Sequence, residues 1–405
     1  MNHKEAVRQV LSQLRELLTD LNRWMAEHPE AGFQEYETSK RLTGILEDEG
    51  FEVMRNVAGM ETAFVARYGD QGKRPAIALI AEYDGVPGRG QVAGHNIVSV
   101  SAIGAALSLI RIMPELPGSL YVIGTPAHEP SPAVNDRGGK VYMVDAGVFE
   151  EMDAVLMFHA DTYDSAYSHM LAAQPLEMAF RRSSAFLGNE RLPPTQAFET
   201  AALAHACIGV IRHFLPPGHQ VHGFISEAEG TPGKPSDPSC LRLQIFAPSD
   251  RALEPFTEKI VQCGEAAAMV TDAQLELDYY LPRFKEMINS SVLARLLESN
   301  LRSLGRQPET RPRLAEVSSD TGNVSHEVPT VHAHIAVGPL EQVGGYDTDQ
   351  FARATLEDAG EKAFLDAAAA LAMTVIDLYR NPHLLEEAWE NLYRQREVLD
   401  QASRD

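Results

Sequence analysis

The sequence predicts an α/β fold, a largely parallel sheet with flanking helices, interrupted by an inserted α+β open-sandwich domain. Short apolar runs without helical period occur at AIALIAEYD (Ala76 to Asp84), SLYVIGTPA (Ser119 to Ala127) and AVLMFHA (Ala154 to Ala160), which suits strands buried on both faces. Stretches of helical length separate them, the pattern of right-handed βαβ crossovers. After about Gln174 the order of elements changes character, and it changes back from about Glu286. Residues 1–174 and 286–405 are therefore read as one α/β domain, and 175–285 as the insert.

The elements follow in order. Val10, Leu11, Leu14, Leu17, Leu18, Leu21, Trp24 and Met25 keep helical spacing with charges opposite, which predicts an amphipathic helix packed on a core. The charges spread through MNHKEAVRQVLSQLRELLTDLNRW argue against a signal peptide, and no long uncharged apolar run predicts a membrane span. A second helix is expected to be capped by Thr38 or Ser39, to run through Glu47-Asp48 and to end at Gly50. The first strand leads through the glycine-rich turn GVPGRGQVAGHN to a helix, SVSAIGAALSLIRIM. The second leads through a polar loop to the helical stretch GGKVYMVDAGVFEEM. In the insert, strand LEMAF, a helix from Ala197 to Phe214, strands VHGFISEA and CLRLQIFA, helix ALEPFTEKIVQCGEAAAMV and strand QLELDYY succeed one another. The last segment holds one apolar strand, VHAHIAV, and ends in a helix from Asp366 to Tyr379.

Lys and Arg total 35 against 57 Asp and Glu in 405 residues, a formal net charge of -22. A surface this acidic repels phosphate backbones and anionic lipid, so neither nucleic acid nor a membrane is an expected partner. Three cysteines (Cys207, Cys240, Cys263) form an odd, sparse set, which points to reduced thiols and a cytoplasmic location.

Ligands of open parallel sheets bind beyond the carboxyl ends of the strands. The first strand runs into Asp84 and the turn carrying His95 and Asn96, the second ends in His128-Glu129, and the third ends in His159. Three histidines and a carboxylate at one sheet edge suit zinc, manganese or cobalt. Such an ion lowers the pKa of a bound water toward neutrality. There is no HExxH, no paired CxxC and no P-loop ending, and no GxSxG elbow anchors a serine hydrolase.

The blocks HPEAGFQEYETS, AEYDGVPGRGQVAGHN, GTPAHE, GGKVYMVDAGVFEEMDAVLMFHA, SSDTGNVSHEVPTVH and VHGFISEAEGTPG resemble the aminoacylase/carboxypeptidase family of metallopeptidases, and most closely its amidohydrolase branch. The resemblance runs from about Leu17 to Leu378. It implies that the α/β domain is catalytic and that the insert is a lid that mediates dimerisation, hence a homodimer or larger homo-oligomer acting on a small molecule. It implies His95, Glu129 and His159 as metal ligands, with Asp347 in GGYDTDQF a candidate fourth. Asp84 matches a position that orients the ligand histidine.

Four positions depart from the family pattern, the first being Asp347, the residue nearest to where a final ligand His is usual. Ala93 stands where a metal-bridging Cys or Asp is usual, His128 where the general-base Glu is usual, and Phe186 where the lid supplies a substrate-touching His. Without the bridge, one divalent transition metal ion per chain is expected, Mn, Zn or Co. His128 can still accept a proton from metal-bound water, because an imidazole titrates at about 6.5. Phe186 and Asn96 are the expected substrate contacts. The resemblance implies hydrolysis of a C–N bond in a small molecule. Losing an oxyanion-stabilising His to Phe186 favours an aromatic substrate whose ring amine is replaced by water, as in 5-nitroanthranilate giving 5-nitrosalicylate and ammonia. Two alternatives stand beside it: amide hydrolysis of an aromatic acyl amino acid or β-alanyl dipeptide, and a catalytically inactive family member that binds a ligand.

Overall fold

The computed structural model describes residues 3–86, 88–129, 137–182, 196–226, 237–310 and 318–401. The chain begins with α1 (His3–Glu27), α2 (Tyr36–Asp48), β1 (Glu52–Arg55), β2 (Phe64–Tyr68), β3 (Ala76–Glu82), α3 (His95–Ile112), β4 (Ser119–Thr125), α4 (Gly139–Asp145) and β5 (Ala154–Asp161). It continues with β6 (Ala172–Arg181), α5 (Gln196–Ile211), β7 (Gln220–Ser226), β8 (Ser239–Ala247), α6 (Asp250–Thr271) and β9 (Gln274–Asp278). It closes with α7 (Ser291–Ser303), α8 (Thr321–Glu327), β10 (Thr330–Ala336), α9 (Leu340–Val343), α10 (Asp349–Ala354), α11 (Asp358–Arg380) and α12 (His383–Gln401). Two compact units result: Met1–His169 with Met287–Ala315 and Asp320–Asp405, and Met170–Glu286 with Glu316–Ser319.

The first unit holds a six-stranded sheet in the order β1-β2-β4-β3-β5-β10. β4, β3, β5 and β10 run parallel, as the apolar runs predict, while β2 pairs antiparallel with both β4 and β1 at one edge. Alternation along β3 explains why the run has no polar face. Ile77, Leu79, Ala81 and Tyr83 enter one apolar cluster with α1, α3 and α11, while Ala76, Ala78 and Ile80 enter another with Met143 of α4 and Val324 of α8. Glu82 continues the second series, so it points to the face that α4 and α8 cover.

Several expectations are corrected. Thr38 and Ser39 lie inside α2, not at its cap. The Glu30 carboxylate instead accepts from the backbone N–H groups of Glu37 (3.1 Å) and Thr38 (2.8 Å), satisfying donors that an N-terminus leaves free. The helical stretch 138–152 stops at Asp145, because Gly147 turns the chain at φ 75°. α3 starts at His95 itself, and by length and composition it is apolar enough to cross a membrane. It is instead a core helix, packed against α1, α11 and β3 and almost wholly buried. The final helix is α12, not the 366–379 segment. It is highly charged and anchors through Leu385, Ala388 and Leu392, too few apolar positions to stand out in the sequence.

The second unit is an antiparallel sheet in the order β7-β8-β6-β9, with α5 and α6 packed on it. Leu176, Met178, Phe180, Leu241, Leu243 and Ile245 of the strands meet Ala201, Ala204, Ile208, Ile260 and Cys263 of the helices. This is the open-sandwich architecture expected of the insert. Its three cysteines form no disulfide.

Candidate metal centre

The carboxyl ends of β3, β4 and β5 bring four donors together. One atom each of Glu82, His95, His128 and His159 lies within 4.8 Å of the others. Local backbone geometry places each one. Gly94, at φ 77°, comes so close to β5 that a Cβ there would stand 2.5 Å from that of Ala160. Only glycine fits, and it sets His95 as the first residue of α3. Ala127 holds a left-handed conformation (φ 55°) directly before His128. It is fixed because its N–H donates to Glu35 Oε1 (2.8 Å) and its carbonyl accepts from Gly138 (2.7 Å).

Asp84 orients His95. Its Oδ1 is 3.0 Å from His95 Nδ1, which also lies 2.8 Å from the Asp84 carbonyl, and its Oδ2 accepts from the Glu129 N–H (2.8 Å). This leaves His95 Nε2 facing Glu82 Oε2 at 3.6 Å. His159 Nε2 faces the same oxygen at 3.6 Å, while its Nδ1 lies 3.0 Å from the Ala160 carbonyl and 3.0 Å from the Tyr346 hydroxyl. Glu82 Oε1 faces the other way, 2.7 Å from Lys140 Nζ and 3.4 Å from His128 Nδ1. Asp320 completes that side, its Oδ1 3.0 Å from His128 Nδ1 and 2.8 Å from Lys140 Nζ.

The electrostatics favour a cation. Burial raises the cost of charge on Glu82, but His128, Lys140, His95 and His159 hold its carboxyl well below the usual range. Burial disfavours charge on His95, yet Asp84, Glu82 and Glu129 hold its pKa up at about 10. A site that favours a proton on His95 also favours a metal ion at its Nε2. Burial pushes His159 down to about 4, so its ring is neutral and able to ligate. Glu82 Oε2 and His95 Nε2 are buried with no hydrogen-bond partner, the condition of ligand atoms awaiting an ion. Three imidazoles and a carboxylate fit a borderline divalent cation.

The structure sorts the other expected residues. Glu129 is outside the four-donor group, and burial raises its carboxyl above the ordinary range, with His128, His95, Asp84 and Asp347 within electrostatic reach. His128, expected as the proton acceptor, lies among the four donors, and Glu129, expected as a ligand, does not. Asp347 is exposed and outside the group as well. Asn96 is buried, and its Oδ1 has no hydrogen-bond partner among the described residues. Its Nδ2 donates to Asn22 Oδ1 and Thr355 Oγ1, both at 2.8 Å. Phe186 lies outside the described residues.

Three site residues escaped sequence reasoning: Glu82, Lys140 and Asp320. The available signals were a lone acid ending an otherwise apolar strand, a lysine in an apolar helix start, and the acid of SSDTG. A Ser–His–Asp chain was missed too. His334 Nδ1 is 2.9 Å from Asp161 Oδ2 and its Nε2 is 2.7 Å from Ser168 Oγ, but Ser168 is only 2% exposed.

No family model matches the chain. The Xaa-Arg dipeptidase of Mus musculus is 28% identical over 391 residues, covering 93% of this chain and 89% of that one. One of the chains of the p-aminobenzoyl-glutamate hydrolase of Escherichia coli (strain K12) is 26% identical over 306 residues, 70% of this chain and 61% of that one. Among solved structures, the YXEP protein of Bacillus subtilis, described as a dinuclear metal-binding peptidase of the M20 family, superposes with a TM-score of 0.65 at 18% identity, over 90% of this chain and 99% of that one. The aminobenzoyl-glutamate utilization protein of Klebsiella pneumoniae gives 0.69 at 17%, over 91% and 98%. These two solved structures share the fold of this chain, and the Xaa-Arg dipeptidase shares sequence along nearly its whole length, with the four donors standing at the strand ends of that fold.

Proposed function

We propose that this M20 metallohydrolase of C–N bonds cleaves the amide of a small N-acyl amino acid or dipeptide. The observation that carries the reading is the buried Glu82, His95, His128 and His159 group at the strand ends. The relatives are named for a dipeptide and for an aroyl amino acid, which favours amide hydrolysis over displacement of a ring amine. The ring-amine reading leaned on Phe186, about which the described residues say nothing.

A divalent ion in this centre would supply a water of lowered pKa and polarise the amide carbonyl. The chain's own residues do the rest. Asp84 holds His95 in the orientation that turns Nε2 inward. Glu129, free of the donor group and with its carboxyl raised by burial, accepts a proton from water and returns it to the leaving amine. Val210, Phe214, Phe224, Met269 and Val270, exposed on the second unit, offer apolar surface for a second copy, so a homodimer belongs to this reading.

The test is a turnover screen with Mn, Zn or Co on aminobenzoyl-glutamate, Xaa-Arg and β-alanyl dipeptides, and 5-nitroanthranilate. Release of an amino acid is expected. Ammonia from nitroanthranilate, with no amino acid from any amide, would replace this reading by ring-amine displacement.

A further inference from the structure

Lys140 is fully buried, and neither the expected ligand set nor the proposed chemistry uses it. Its ammonium stands 2.7 Å from Glu82 Oε1 and 2.8 Å from Asp320 Oδ1. Its backbone N–H, the second of α4, donates to Asp320 Oδ2 at 3.1 Å. Gly139 makes this approach available, since a Cβ there would lie 2.2 Å from the Pro126 carbonyl. The two oxygens of Glu82 are thus divided. Oε2 faces the Nε2 atoms of His95 and His159, whereas Oε1 faces the lysine and His128.

We infer that the Lys140 ammonium occupies the place of a second metal ion, so that Glu82 bridges one divalent cation and one lysine. The inference rests on the metallohydrolase reading and deepens it. Two facts support it independently. Ala93, where a bridging ligand would be expected, has no ligating atom in its side chain. On the lysine side, Glu82 Oε1 and Asp320 Oδ1 both lie within 2.8 Å of the ammonium, and the His128 Nδ1–H donates to Asp320 Oδ1 at 3.0 Å beside them. Two carboxylate oxygens around one point form a cation site, and here a covalently tethered cation fills it. A buried ammonium needs its carboxylate partners, and they need it. A second divalent ion would have to displace Lys140 or sit against a like charge in a poorly screened interior. The chain would then differ from the dinuclear Bacillus subtilis neighbour by an internal substitution of charge.

The experiment is metal stoichiometry on the full chain. The stripped protein is titrated with Mn²⁺ alone, bound metal is counted by equilibrium dialysis, and the bound ion is read by electron paramagnetic resonance. The wild type should take one ion per chain, with the signal of an isolated ion. Lys140→Met, close in shape but uncharged, frees Glu82 Oε1 and Asp320 Oδ1, and should double the stoichiometry to two, with spin coupling between the ions. A folded Lys140→Met holding a single ion overturns the assignment. Two ions in the wild type overturn it whether or not the variant folds, and leave the hydrolase reading standing. A wild type that binds no ion overturns both.

Discussion

The Asp84 carboxylate lies 3.0 Å from His95 Nδ1, and the Asp84 carbonyl lies 2.8 Å from the same nitrogen. The ring is therefore oriented by its own strand end, and Nε2 is left to face Glu82. Carboxylates behind ligating histidines typically contribute roughly 10–100-fold in metal affinity. Asp84→Asn should weaken Mn²⁺ binding by about that factor while the fold is retained, as a competition titration against a chelating dye would read. Unchanged affinity would show that the backbone carbonyl alone orients the ring.

His159→Ala and Glu82→Gln should both lose metal binding. The first removes one of two imidazoles facing Glu82 Oε2, and the second leaves Lys140 with a neutral partner. Glu82→Gln should also lower the melting temperature more than His159→Ala, because breaking a buried ion pair strands its partner's charge. Equal melting temperatures would mean that Asp320 alone satisfies the lysine.

The presence of His128 in the donor group, with Glu129 outside it, makes a paired prediction. His128→Ala should reduce metal affinity. Glu129→Gln should leave metal affinity near the wild-type value and slow turnover by about 10²–10⁴-fold, the range expected on losing a general base. The opposite pairing, with metal loss in Glu129→Gln and normal binding in His128→Ala, would restore the assignment that the sequence suggests.

Glu35 makes stability depend on pH. It accepts from Thr62 Oγ1 and the Ala127 N–H, both at 2.8 Å, and burial, reinforced by Asp84, lifts its pKa from 4.5 to about 8. Across that window the unfolded chain has lost this proton while the folded chain keeps it, so the stabilisation present below 4.5 is lost as pH rises through about 8. Melting temperature should fall more steeply from about pH 5 to about pH 8 in the wild type than in Glu35→Gln. Parallel curves would remove Glu35 from this role.

Ser168→Ala should keep turnover, despite the hydrogen-bonded chain to His334 and Asp161, because Ser168 is sealed from solvent. Loss of turnover with metal binding and melting temperature intact would instead make the Ser168 hydroxyl part of the chemistry.

The sequence by itself determined the parallel sheet, the open-sandwich insert and the arrival of His95, His128 and His159 at one sheet edge. Apolar runs and strand ends are local properties, and local properties are written in residue order. It was less informative where packing alternatives compete. A few buried contacts hold α12, and the cap of α2 comes from Glu30, six residues before the helix begins. Only the tertiary structure decided what surrounds the histidines. Glu82, Lys140 and Asp320 are 58 and 180 residues apart in successive steps, and they meet because α4 and α8 pack on the face to which the even residues of β3 point. Which of His128 and Glu129 joins the donor group is likewise beyond sequence, since adjacent side chains at a strand end point different ways. Backbone conformation at Ala127, held by a carboxyl 92 residues earlier, sets which of them enters the centre.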